Sequence, residues 1–151
     1  MKFIPSKINL FLMAKLPSAY LSGVRLKSIS DSEVVAKVKF KWINQNPFKS
    51  LYWATQGMAS ELTTGIIVMR EIAESGKRIS MLVTKQQGEF LKKAKGTILF
   101  SCVDTEVVKT AIAKTIATGE GQQITLVSKG VDEAGDTVSS FSYEWSIKLR
   151  T

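Results

Sequence analysis

The sequence predicts an α+β fold in which an antiparallel sheet of about six strands wraps around one long buried helix. Three observations carry this expectation. The stretch Ser50–Glu74 is helical in pattern and apolar around most of its circumference, which marks a buried helix. Strand-like alternation lies on both sides of it, most strictly over Thr137–Leu149, where Phe141, Tyr143, Trp145, Ile147 and Leu149 alternate with Ser140, Ser142, Glu144, Ser146 and Lys148. Short polar turns at Ser30-Asp31-Ser32 and Asp132–Asp136 join neighbouring strands, and tight joins make antiparallel pairs.

In chain order, a first helix starts near Pro5-Ser6 and is stopped by Pro17. Gly23–Ile29 is the first strand and Glu33–Trp42 the second. On the second, Val34, Ala36, Val38, Phe40 and Trp42 face the core, while Glu33, Val35, Lys37, Lys39 and Lys41 face water. Asn44–Lys49 is a loop, broken at Asn46-Pro47. The central helix opens with Ser50 as its N-cap and ends at Ser75-Gly76, where glycine takes the left-handed cap. Its first half carries small residues (Ala54, Gly57, Ala59, Ser60, Gly65) that let other backbone approach. Arg78–Lys85 is a strand, Gln86–Lys95 a polar, basic connection or partly helical turn, and Thr97–Val103 a strand with apolar residues on both faces. Asp104 caps a short helix whose inward stripe is Val107, Val108, Ala111, Ile112, Thr115 and Ile116, and Gly119 ends it. Gln123–Lys129 and Thr137–Leu149 are the last two strands.

Composition bounds the chemistry. A chain of 151 residues reads as a single domain, 1–151, with enough length to bury a core. No apolar run is long enough to span a bilayer. The absence of histidine removes the histidine general base, the Ser-His-Asp triad and nearly all catalytic zinc sites. Cys102 is the only cysteine, which excludes an internal disulfide and a cysteine metal cluster and points to a reducing cytoplasm. The sequence calls for no cofactor and no metal. The net charge of +8 suits nucleic acid, anionic lipid or a phosphorylated ligand. It forms no basic tail and no nucleic-acid motif, so no nucleic-acid partner is expected.

Asn46, the run Ser50-Leu51-Tyr52-Trp53-Ala54 and the run Glu61-Leu62-Thr63-Thr64-Gly65 resemble the helix region of hot-dog thioesterases, in particular an uncharacterised thioesterase-like branch of that superfamily. In the best-known members an asparagine shortly precedes a His-Gly-Gly turn that opens the central helix, and an acid follows nine residues after the histidine. Counting nine back from Glu61 puts Tyr52 on the histidine, with Trp53 and Ala54 on the glycines. The resemblance implies a hot-dog fold and a thioester carbonyl held at the helix N-terminus, polarised by free backbone N–H groups and the helix dipole. A carboxylate one or two turns along, usually across a subunit interface, acts as nucleophile or activates water. Glu61 is the acid in place for that role. The expected pocket is mostly apolar, with Glu61 at its inner end and Asn46, Tyr52, Trp53, Ala54, Gln56 and Ser60 around the substrate. Lys92, Lys93 and Lys95 are the basic residues expected to meet the phosphates of coenzyme A. The expected assembly is a homodimer or tetramer, because a half-barrel sheet has edges to cover.

Each residue also has a plainer reading. Glu61 either faces the ligand, reaches solvent, or pairs with Arg70 or a lysine. Tyr52 and Trp53 also suit core or interface positions, Asn46 suits a turn before a helix, and Gln56 and Ser60 either line the cleft or satisfy each other. Trp53, where the thioesterases carry glycine, crowds the carbonyl's approach to the helix. Three functions follow: an acyl-CoA or acyl-carrier thioester hydrolase, a non-catalytic hot-dog module binding an acyl chain or fatty acid, or a basic surface-binding protein.

Overall fold

The computed structural model describes residues 2–151. Six strands, β1 (Arg25–Ile29), β2 (Val34–Lys39), β3 (Ile79–Phe90), β4 (Thr97–Cys102), β5 (Gln122–Val131) and β6 (Thr137–Leu149), form one antiparallel sheet in the order β1-β2-β4-β5-β6-β3. The sheet curls around the long helix α3 (Trp53–Ser75), the hot-dog arrangement expected from the sequence.

Helix α1 (Pro5–Lys15) buries Ile8 and Leu12. Pro17 does not close the helical region; it opens a second short helix, α2 (Pro17–Leu21), because proline suits a first turn. Strands β1 (Arg25–Ile29) and β2 (Val34–Lys39) form the first hairpin. Alternation in the sequence carries β2 on to Trp42, but the strand stops at Lys39. Asn44 is the cause. Its Oδ1 accepts the Lys41 N–H at 2.8 Å, and its Nδ2 donates to the Ser22 and Lys39 carbonyls, each at 2.9 Å. These bonds fold Trp42–Asn44 into a 3-10 turn, and Trp42, expected in the core, is 83% exposed.

Ser50 is not the cap of α3. It is buried, and its hydroxyl is 2.9 Å from Asn46 Nδ2 in the preceding loop. Tyr52 occupies the N-cap position and offers no side-chain bond. Gly76 ends the helix with φ 65°, in the left-handed region as expected. Nor is α3 apolar all round. One stripe is polar and hydrogen-bonded to the sheet: Thr63 Oγ1 to Ser128 Oγ at 2.8 Å, Trp145 Nε1 to Thr64 Oγ1 at 3.1 Å, and Ser60 Oγ to the Tyr143 hydroxyl at 2.7 Å. Further along, Arg70 and Glu71 form a buried ion pair of 2.9 Å, and Arg70 Nη1 donates to Ser30 O of the β1–β2 turn.

Strand β3 (Ile79–Phe90) continues through Gln86–Phe90, which the sequence assigns to a connection. The segment is polar, but backbone pairing to β6 (Thr137–Leu149) holds it: Gln86 faces Tyr143 and Phe90 faces Ser139. Strand β4 (Thr97–Cys102) alternates, with Ile98, Phe100 and Cys102 buried. Asp104 precedes α4 (Thr105–Thr118), but its carboxylate accepts the Val127 N–H of β5 (Gln122–Val131) at 2.8 Å and no amide of the first helical turn. Two glycines face aromatic rings across the sheet. A Cβ on Gly130 would stand 2.5 Å from Phe100 Cε1, and one on Gly88 would stand 2.8 Å from Phe141 Cε1. These rings lie over bare backbone and fill the hollow of the sheet.

Candidate functional site

The start of α3 opens onto a cleft of about 500 Å³. One wall is the loop before α3 and its first turn, with Asn46, Tyr52, Trp53 and Gln56; the other holds Phe90 and Lys93. The loop is shaped by Asn46, whose Oδ1 accepts the N–H groups of Phe48 (2.9 Å) and Ser50 (3.2 Å). Its Nδ2 also donates to the Leu51 carbonyl at 3.3 Å. Asn46 therefore lines the cleft while its polar atoms serve the turn.

Because Tyr52 supplies no cap, the first amides of α3 stay open. Among the described residues, no acceptor meets the N–H of Trp53 or of Ala54. Free amides at the positive end of a 23-residue helix favour an anion or the oxygen of a polarised carbonyl. Gln56 is 4% exposed; its Nε2 donates to Leu51 O at 3.4 Å, and among the described residues its Oε1 has no donor. A buried orphan acceptor on a cleft wall is a place for a ligand's N–H or O–H. The tilted rings of Tyr52 and Trp53, 5.7 Å apart, are about half exposed at the cleft.

The other expected residues lie elsewhere. Ser60 is buried under the sheet; besides the Tyr143 hydroxyl it bonds the Gly57 carbonyl at 3.0 Å. The Tyr143 hydroxyl is also 2.9 Å from that carbonyl, so two hydroxyl protons serve three close contacts, and burial pushes the phenol pKa up to about 12, which keeps it protonated. Neither Ser60 nor the half-buried Ala54 lines the cleft, and Gln56 and Ser60 do not bond each other. Lys92 bridges Asp132 and Asp136, each at 2.7 Å, across to the β5–β6 loop. Lys93 is nearest the cleft's aromatics, its Nζ 5.9 Å from the Phe48 ring centre, and Lys95 lies outside the cleft.

Glu61 does not line this cleft. It borders a separate hollow of about 250 Å³, against Met58 and Leu62 of α3, Leu12 and Lys15 of α1, Leu16 at the junction and Ala19 of α2, with no ion pair between Lys15 and Glu61. Eight residues beyond Trp53, it is about 12 Å further along the helix axis. One chain therefore does not surround Glu61 with Asn46, Tyr52, Gln56 and Ser60. Its carboxylate forms no ion pair among the described residues, and Arg70, the partner the sequence offered, is taken by Glu71. Burial without a compensating cation raises its pKa above the ordinary carboxylate range. Among the described residues no group of three or more His, Cys, Asp or Glu is placed to hold a metal ion. No helix among them is long and apolar enough to cross a membrane.

A family model for a domain of unknown function, DUF4442, matches residues 7–147. The chain belongs to the DUF4442 family. No protein of curated function matches its sequence. Solved structures resemble it closely in fold. A Pseudomonas aeruginosa protein of unknown function, described as a probable thioesterase, has a TM-score of 0.81 at 19% identity, over 97% of each chain. A Chlorobaculum tepidum protein of unknown function also scores 0.81, at 14% identity, over 97% of this chain and 98% of its own. A thioesterase from Haemophilus influenzae scores 0.68 at 10% identity, over 99% of this chain and 93% of its own. At such identities the likeness carries the fold alone: this DUF4442 chain has the hot-dog fold. Phe90 and Leu91, on the DUF4442 cleft wall, escape sequence reading because β3 looks finished at Lys85. Tyr143 was legible as an inward residue of β6, but its bond to Ser60 was not.

Proposed function

We propose that this protein hydrolyses acyl thioesters of coenzyme A or of a carrier protein. One observation carries the reading: two unpaired amides, of Trp53 and Ala54, open the central helix at the edge of an aromatic-lined cleft. A thioester carbonyl placed there gains hydrogen bonds and the helix dipole as its oxygen becomes negative in the tetrahedral intermediate. Gln56 Oε1, buried without a donor, suits an amide N–H of the pantetheine arm shared by both leaving groups. Glu61 supplies the base or nucleophile. With about 12 Å of helix between it and Trp53, the Glu61 that acts at a given cleft comes from a second copy of the chain. Its raised pKa makes it a stronger base than an exposed carboxylate.

The second reading is a module that holds an acyl chain without turnover. Trp53 favours it: its side chain is 53% exposed at the position where the related thioesterases carry glycine. Hydrolysis of an acyl-CoA series, followed by release of free thiol, decides between the two. The hydrolase reading expects turnover by the wild type and loss of about 10²-fold or more in Glu61→Gln, with ligand binding retained. Equal rates in both forms would remove Glu61 from the chemistry. Binding without turnover in either form would leave the module.

A further inference from the structure

On the outer face of the first hairpin, away from the α3 cleft, four cations border one hollow of about 270 Å³: Arg25 of β1, Lys37 and Lys39 of β2, and Lys41 just beyond it. Arg25 and Lys37 are directly opposite on the ladder, and Lys37 and Lys39 share a face. Like charges placed so repel and destabilise a sheet. Among the described residues none of the four is held in an ion pair, and no acid occurs between Glu33 and Glu61. Glu133 comes near at Thr97, but its Oε1 accepts the Thr97 N–H at 2.9 Å.

Arg25 is also fixed in place. Its guanidinium carbon lies 3.5 Å from the centre of the Tyr20 ring. Its Nη1 donates to the Tyr20 carbonyl at 2.6 Å and the Val24 carbonyl at 2.8 Å. Among the described residues no acceptor meets Nε or Nη2, so one edge of the fork is free. An immobilised guanidinium with a free edge fits two oxygens of a phosphoryl group, and flexible lysines around it act as point charges. Four cations, with the Glu133 carboxylate close by and in no ion pair with them, leave an excess of positive charge that suits a ligand with more than one negative charge.

We propose that this hollow is a phosphate site, binding a di- or polyanionic phosphoryl group. The site is independent of thioester hydrolysis, and the probes that test it carry no thioester. The phosphoryl group belongs either to a soluble molecule or to a lipid headgroup, and two arms separate these sources. In the first, inorganic pyrophosphate is titrated calorimetrically into the wild type, Lys37→Gln/Lys39→Gln, Arg25→Lys and Lys109→Gln. In the second, the same four proteins are sedimented with phosphatidylcholine vesicles with and without phosphatidic acid. In at least one arm, saturable binding weakens about tenfold or more in the double variant, and severalfold in Arg25→Lys, which keeps the charge but loses the fork. Lys109→Gln, whose lysine lies on α4 beside Glu106 at 3.5 Å, stays at the wild-type value. Without ligand, the double variant melts at or above the wild-type temperature, because like-charge repulsion is relieved. Ligand raises the wild-type melting temperature and not the variant's. The proposal is overturned if neither probe saturates, or if Lys109→Gln loses as much binding as the double variant.

Discussion

Replacing Gly130 by alanine adds a single methyl at the tightest point of the core. The new Cβ would lie 2.5 Å from Phe100 Cε1, 2.8 Å from Cζ and 3.1 Å from Cδ1. Carbon atoms pack at about 3.5–4.0 Å, so the ring has to retreat by roughly 1 Å. It has nowhere to go: Phe100 is fully buried and meets Phe141 edge-on, with ring centres 6.2 Å apart. Overpacking of this kind costs about 1–3 kcal/mol. Alanine restricts the unfolded chain more than glycine does, which returns about 0.4–1 kcal/mol. The expected net loss is about 1–2 kcal/mol, or a fall in Tm of roughly 2–8 °C for a chain of this size. Thermal and urea melts of Gly130→Ala, Phe100→Leu and the double variant measure it. In the double variant the smaller leucine side chain makes room for the methyl, so the two losses do not add, and the coupling should be about 1 kcal/mol or more. A Gly130→Ala protein as stable as wild type, or strictly additive losses, would refute the reasoning.

Four further outcomes follow from the same structure. Burial raises the folded-state pKa of Glu61 above its ordinary value of 4.5, so the folded chain holds that proton more tightly than the unfolded chain; the group destabilises the fold increasingly as pH rises from that ordinary value through the raised one, and fully above it. Urea melts across pH should show Glu61→Gln gaining on wild type over that window and then keeping a constant lead, and parallel curves would contradict this. The Cys102 thiol, pushed up to about 12 by burial, should ignore a disulfide reagent at neutral pH in the native state and react fully in denaturant. Lys93→Gln should raise KM for coenzyme A thioesters and spare short thioesters without a nucleotide, whereas Lys95→Gln, outside the cleft, should change neither. Sedimentation at micromolar concentration should give a dimer or larger, since β1 and β3 leave sheet edges open and β3 runs for 12 residues; a stable monomer would count against the two-copy site.

Much of the fold was legible because alternation and burial agree where a strand is covered on one face. The Thr137–Leu149 strand and both of its turn residues, Asp132 and Asp136, are where the pattern puts them. The pattern misled where side-chain hydrogen bonds override it. Asn44 turns the chain before Trp42 can enter the core. Asp104 reaches across to Val127 instead of capping its own helix. Gln86–Phe90 lacks apolar alternation because it lies at the sheet edge, where the ladder alone defines a strand. The candidate site was half legible. Asn46, Tyr52, Trp53 and Gln56 are neighbours through their positions around one helix start, which spacing can foresee. The separation of Glu61 also follows from spacing, at eight residues of helical rise. Its actual surroundings depend on α1 and α2 folding back over α3, and no local pattern encodes that.

The three polar rungs on α3 bear on how firmly its N-terminus is placed. Ser60, Thr63 and Thr64 all bond to β5 or β6, through Tyr143, Ser128 and Trp145. Contacts between apolar surfaces tolerate sliding, because one methyl can replace another. Hydrogen bonds do not, since a shift of one helical turn would strand a phenol, an indole N–H and hydroxyls in the interior. The helix is thus pinned lengthwise like a bolt in a rack, and with it the height at which the Trp53 and Ala54 amides meet the cleft.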